Sequence, residues 1–137
     1  LAIKYKKLNF CWRVHPVIKI ENIFKKMKIN KHQLPFNISI SKEKNLEKDF
    51  CKCKFVVYRG SSTAIDALNF GLIPIYFKIQ NEPNIDILRS YKKKLNYVKN
   101  TKDFYHIIKS LNNVKISHKK KFREDANIIR FKELTNF

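Results

Sequence analysis

Phe55-Val56-Val57-Tyr58-Arg59-Gly60-Ser61-Ser62-Thr63-Ala64-Ile65-Asp66-Ala67-Leu68-Asn69-Phe70-Gly71-Leu72-Ile73-Pro74-Ile75-Tyr76-Phe77 is the stretch whose reading decides the fold. It carries both glycines of a 137-residue chain, where average composition would supply roughly ten. Glycine this scarce marks places where the backbone needs it. Phe55 to Tyr58 is a short apolar run of the kind that forms a buried strand, and Gly60 lets the chain turn sharply or approach a ligand closely. Ser61, Ser62 and Thr63 supply hydroxyls at a helix start. The helix places Ala64, Ile65, Ala67 and Leu68 toward one side, and Gly71 stands where a left-handed cap ends it. Leu72 to Phe77 is the next strand. The whole reads strand, turn, helix, turn, strand.

A helix start directs unpaired N–H groups and a partial positive charge outward, which suits a phosphate. Hydroxyls at the same place add donors. Gly60-Ser61-Ser62-Thr63 is therefore a candidate anion site, although the segment alone speaks first for plain helix capping, in which Ser and Thr are favoured. Asp66, one turn into the helix, needs no role beyond complementing the helix dipole.

The composition is that of a globular domain with a core: 44% hydrophobic residues and 13% aromatic. The formal charge is +19 and the pI about 10.0. Such a charge directs attention to polyanions. Lys outnumbers Arg by 25 to 5, however, and Arg is the residue suited to bidentate phosphate or guanine contacts. A solvated lysine surface explains the charge, no specific nucleic-acid partner is expected, and the same surface is compatible with peripheral contact with a membrane. No apolar run approaches the roughly 20 residues that span a bilayer, so a cytoplasmic place, or one at the inner face of a membrane, is expected. Cys11, Cys51 and Cys53 are too few for a disulfide framework. Cys51-Lys52-Cys53 lacks the second pair a zinc site needs, and no metal is expected. The chain opens at Leu1 and its sole methionine is Met27, which suggests a fragment.

Outward from the opening stretch, Leu8 to Val14 reads as a strand ended by His15-Pro16, since proline cannot continue a central ladder. Helical spacing covers Glu21 to Ile29, Phe36 to Ile40 alternates as a strand, and Ser41 to Cys53 suits a helix. After a loop at Gln80 to Asn84, a helix is expected over Ile85 to Lys94 and a strand over Asn96 to Lys99. A helix capped by Thr101 follows to Leu111, then a polar connector over Asn112 to His118 and a basic helix over Lys119 to Leu134. Strands and helices alternating this way imply βαβ units, an α/β fold with a doubly wound, mainly parallel, Rossmann-like sheet over residues 1–111, and a basic helical extension over 112–137. In such sheets ligands bind beyond the carboxyl ends of the strands, where both His15-Pro16 and Gly60-Ser61-Ser62 stand.

Trp12-Arg13-Val14-His15-Pro16, followed by Tyr58-Arg59-Gly60-Ser61-Ser62-Thr63-Ala64-Ile65-Asp66-Ala67, resembles the C-terminal nucleotide-binding half of GT-B glycosyltransferases. The likeness is to bacterial sialyltransferases and to capsule or Kdo transferases, which carry an HP pair and a later SS pair. Gly71-Leu72-Ile73-Pro74-Ile75-Tyr76-Phe77 also looks like the strand after the SS helix, and the resemblance covers about Leu8 to Lys109. It implies a nucleotide-sugar donor, a CMP-sugar among the candidates, and a carbohydrate or glycolipid acceptor, without a cofactor or metal. It gives His15 contact with the donor phosphate and a part in the leaving group's departure, with Pro16 beside it, and gives Ser61 and Ser62 the same phosphate. This chemistry is sound, because a departing nucleotide phosphate gains negative charge that an imidazolium and preorganised donors stabilise. Arg13 and Arg59 flank the two motifs as cations, Gly60 and Thr63 complete the second, and Glu82 stands where such proteins hold a residue near ribose or base.

One departure bears on activity. The acidic pair before glycine that supplies the family's catalytic base does not occur; Glu124-Asp125 is followed by Ala126. The base and acceptor site are expected upstream, and this chain is expected to hold the donor half alone. A basic nucleic-acid-binding module, with polyanion contacts spread over Lys92 to Lys94 and Lys119 to Lys121, is the alternative from another class. A nucleotide-binding relative without activity is a third.

Overall fold

The computed structural model describes residues 1–91 and 95–111. Lys92 to Lys94, the connector expected over Asn112 to His118, the basic helix expected over Lys119 to Leu134 and Glu124-Asp125 lie outside the described residues. Two compact units divide the chain, Leu1–Asp49 and the part from Phe50 onward.

The first unit runs β1 (Phe10–Trp12), α1 (Ile20–Met27), a 3₁₀ turn (Lys31–Gln33), β2 (Ile38–Ile40) and the start of α2 (Leu46–Phe50). β1 and β2 pair in parallel with Phe10 opposite Ile38 and Trp12 opposite Ile40. Both are shorter than the strands expected over Leu8 to Val14 and Phe36 to Ile40. Phe36 and Asn37 are taken into a turn in which the Ile38 N–H donates to the Pro35 carbonyl at 2.9 Å. α1 ends at Lys28, whose φ of 53° is left-handed without a glycine. The Ile29 and Lys28 amides close the end on the Phe24 and Lys25 carbonyls. Only Leu46–Phe50 of the helix expected over Ser41 to Cys53 is helical. Asn45 Oδ1 accepts the Glu47 N–H at 2.9 Å, and Ser41 Oγ accepts the Glu43 N–H at 3.2 Å. Side chains thus hold the segment before Leu46 in turns.

The second unit runs β3 (Phe55–Tyr58), α3 (Thr63–Asn69), β4 (Ile73–Phe77), β5 (Asn96–Val98) and α4 (Thr101–Leu111). Its three strands are parallel in the order β3-β4-β5, with Tyr58 opposite Tyr76 and Tyr76 opposite Tyr97. The α/β class and the parallel pairing agree with the sequence reading, but the strands form two small sheets, where one doubly wound sheet was expected. β4 is central and buried along its middle. Pro74 is tolerated there because β5 begins pairing only opposite Ile75, and the Asn96 side-chain amide takes the Pro74 carbonyl at 3.3 Å instead. Tyr58, Ala64, Ile65, Tyr76 and Leu88 form the core of this unit.

Gly71 ends α3 as expected. At φ +95° its N–H donates to Leu68 and that of Leu72 to Ala67, which is the Schellman pattern. α4 has the expected bounds but another cap: Asn100 Oδ1, not Thr101, accepts the Lys102 and Asp103 amides at 2.8 and 3.0 Å. The helix expected over Ile85 to Lys94 does not form in its described part. Asn84 Oδ1 captures the Asp86 N–H at 3.0 Å and Asp86 Oδ1 the Leu88 N–H at 2.9 Å. These side chains compete successfully for the amides a helix would use, and only single turns follow, from Arg89 to Asp86 and from Tyr91 to Leu88. Among the described residues, no helix is long and apolar enough to cross a membrane.

Candidate functional site

β3 ends at Tyr58, and the chain then turns through Arg59, Gly60, Ser61 and Ser62 into α3. Gly60 adopts φ +68°, a left-handed conformation costly for any residue with a Cβ. The close approach it allows is to a side chain of the same unit: a Cβ there would come within 2.7 Å of Ile85 Cδ1. Ser61 Oγ accepts the Thr63 N–H at 3.3 Å, and the Ser61 and Ser62 carbonyls accept the amides of Ala64 and Ile65. Ser62 occupies the N-cap position in a helical conformation, and its hydroxyl makes no cap bond. Of the two serines, Ser61 takes the amide at the helix start, while the Ser62 hydroxyl does not cap. Both serines are exposed, so their hydroxyls face outward at the end of the sheet where α/β ligands bind.

Arg59 and Glu82 form an ion pair, each partly exposed. Glu82 follows Asn81, whose φ of 63° makes it a left-handed turn residue, tolerated by asparagine. The structure thus brings together Arg59, Gly60, Ser61, Ser62, Thr63 and Glu82, all in the second unit. Glu82, expected near a ribose or base, engages Arg59 in the chain by itself.

His15 and Pro16 belong to the first unit, three residues and more beyond β1. Both are exposed. Pro16 has the fixed φ that suits the second position of a turn. The turn is closed by the Ile18 N–H on the His15 carbonyl at 2.9 Å, while His15 Nδ1 accepts the Val17 N–H at 3.4 Å. An imidazole that accepts at Nδ1 carries its proton, when neutral, on Nε2.

Arg13 is not a free phosphate ligand. Its Nη1 is paired with Asp49 and donates to the Glu43 carbonyl at 3.0 Å, while Nη2 donates to the Lys44 carbonyl at 3.3 Å. Ser41 Oγ completes the cluster, donating to the Asp49 carboxylate at 2.7 Å. The guanidinium is spent on holding the loop between β2 and α2.

Sequence reading missed the polar centre of the second unit. Tyr58, Tyr76 and Tyr97 lie side by side across the three strands, with adjacent ring centroids 5.6 Å apart in edge-to-face contact. The Tyr58 hydroxyl donates to Asp86 Oδ1 at 2.6 Å, and Asp86 is 2% exposed. Burial, then the hydrogen bond and charge of Asp86, push the Tyr58 phenol well above the usual tyrosine range. A lone aspartate inside Ile85-Asp86-Ile87-Leu88 was the available signal. Among the described residues, no cluster of three or more His, Cys, Asp or Glu is arranged to hold a metal ion. No family model, no curated protein and no solved structure matches the chain, so its functional reading rests on these residues.

Proposed function

We propose that the second unit binds a nucleotide phosphate at the Gly60–Thr63 turn, and that the chain is the donor-binding part of a glycosyltransferase of surface-carbohydrate biosynthesis with a CMP-sugar as donor. One observation carries the reading. A left-handed glycine after a parallel strand presents two exposed serines, and Ser62, placed to cap the helix, leaves its hydroxyl uncommitted.

Parallel βαβ units in an α/β chain are compatible with the Rossmann-like half of a GT-B enzyme. A phosphate at the turn takes hydrogen bonds from the Ser61 and Ser62 hydroxyls, each strengthened by the ligand's charge. Arg59 exchanges Glu82 for a phosphate oxygen. These fixed donors stabilise the charge that grows on the phosphate as the sugar leaves, so the arrangement calls for no metal. The parts the resemblance gives His15 and Pro16 rest on sequence.

Thermal protection tests the reading. Binding to the native state alone adds about 2.7 kcal/mol at 100 times the dissociation constant, so CMP or CDP is expected to raise the melting temperature more than AMP, GMP or UMP. Equal protection by every nucleotide and by heparin would replace the donor site with general polyanion binding by the lysine surface.

A further inference from the structure

The segment after β4 grips three consecutive residues, the last of β3 and the first two of the turn that follows it, each by a different force. The Glu82 carboxylate pairs with Arg59 at the surface. Ile85 fills the space a side chain at Gly60 would occupy. Asp86 Oδ1 accepts the Tyr58 hydroxyl at 2.6 Å. The segment is also stiff. Asn84 and Asp86 each fold back onto an amide two residues on, and the Ile85 N–H donates to the Tyr76 hydroxyl oxygen at 3.2 Å. It ends on Leu88, which is 1% exposed and belongs to the core.

Asp86 is the unusual member. Buried carboxylates are costly unless paired, and Asp86 Oδ2 is buried without a hydrogen-bond partner among the described residues. The Tyr58 hydroxyl and the Leu88 amide both use Oδ1, and a neutral amide oxygen would accept them as well.

We propose that Glu82–Leu88 is a strap that fixes the conformation of the Tyr58–Gly60 turn, and that Asp86 is its positioning residue. What the turn presents rests on the phosphate reading given above; the strap itself does not. The three grips differ in depth. The Asp86 to Tyr58 bond and Leu88 form a buried inner anchor, whereas the Glu82 to Arg59 pair is an outer latch, partly exposed and therefore weakened by salt or by any competing anion. Closed, the strap sets the direction in which Ser61 and Ser62 leave the sheet, so a ligand meets a turn already ordered.

Amide hydrogen exchange on the 137-residue chain, followed by NMR without ligand, tests the strap. The Ala64 and Ile65 amides report on the point where the turn enters α3, since they bond to the Ser61 and Ser62 carbonyls, and the amides of β4 report on the unit as a whole. In Tyr58→Phe and Asp86→Ala the turn amides are expected to exchange about tenfold faster relative to β4, because a buried bond to a charged group is lost. Asp86→Asn keeps an oxygen acceptor for the Tyr58 hydroxyl without the charge, and should exchange more slowly at the turn than Asp86→Ala does. Glu82→Gln, a surface change that leaves the core intact, should raise turn exchange by about threefold with β4 unaffected. Equal acceleration in the turn and β4, or no change at the turn in Glu82→Gln, would overturn the proposal. Addition of CMP to the parent is scored separately: failure of CMP to protect the turn counts against the phosphate reading, while the exchange ratios alone decide the strap.

Discussion

In the unit from Phe50 onward, Ala64, Ile65, Ala67, Leu72, Ile75, Tyr76, Leu88, Val98, Phe104 and Ile108 are all buried side chains gathered around three parallel strands. In Leu1–Asp49 the only buried hydrophobic residue is Ala2, and the other two buried side chains are polar, Asn37 and Asp49. Asn37 Nδ2 lies 3.1 Å from the Ala2 and Tyr5 carbonyls and 2.8 Å from that of Leu8, tying the N-terminal turns to β2. Asp49 gathers Arg13 and Ser41. α1 has no buried residue, and its Phe24 meets Trp12 edge-on at 6.3 Å. One unit is held by apolar burial, which is non-directional and tolerates change of shape; the other by a few polar groups whose geometry must be kept. Directional contacts suit a region that presents loops, and a packed core suits one that must hold a turn rigidly at a strand end.

The largest expected effects come from striking each kind of support. Ile75→Ala removes most of a fully buried side chain from β4 and should lower the stability of the second unit by about 2–5 kcal/mol, read by denaturant melting. Asp49→Ala leaves Arg13 beside two carbonyls without its carboxylate. It should cost the first unit about 3 kcal/mol, the lower end for a broken buried pair because Arg13 is partly exposed. Trp12, the only tryptophan, lies in β1 and reports on that unit by fluorescence. If Asp49→Ala leaves the Trp12 transition unchanged, the polar account of the first unit fails.

A smaller effect is confined to alkaline pH. The Tyr58 phenol is raised in the folded chain, so below the ordinary tyrosine pKa of about 10 both states carry its proton and stability is unaffected. Above it the unfolded chain releases that proton while the folded chain keeps it. Stability of the second unit should therefore fall by about 1.4 kcal/mol per pH unit from this group, and Tyr58→Phe should remove that part of the slope. An unaltered slope in Tyr58→Phe would mean that the bond to Asp86 does not hold the proton.

Smaller still is Gly71→Ala, which places a Cβ at φ +95° and should cost about 1 kcal/mol by thermal melting. The glycines show what was legible in the chain. Both were placed by scarcity and by their position around one helix, and both adopt left-handed backbone. The bounds of α4 were readable to the residue, although its cap, Asn100, was not. The segment over Ile85 to Tyr91 was not readable, because its apolar spacing imitates a helix while the Asn84 amide oxygen and the Asp86 carboxylate accept backbone N–H groups. Arg13 was open between a phosphate cation and a side chain turned away from the crevice, because its partner, Asp49, is distant in sequence. Asn37 read as an ordinary strand residue for the same reason. Of the candidate site, Arg59 to Thr63 was legible as a continuous motif, whereas the grip of Glu82, Ile85 and Asp86 on it depends on contacts across more than twenty residues of chain.

The measurement that bears most directly on function is the affinity of CMP for the parent chain, Ser61→Ala and Ser62→Ala, with the stability of each variant determined on the same samples. If the turn holds a phosphate, each substitution removes a donor to a charged oxygen and weakens binding by about 1.5–3 kcal/mol. Ser62→Ala should leave stability nearly unchanged, since its hydroxyl makes no cap bond. Variants that bind CMP as the parent does, or whose affinity falls only in step with a loss of folded protein, would contradict the phosphate site.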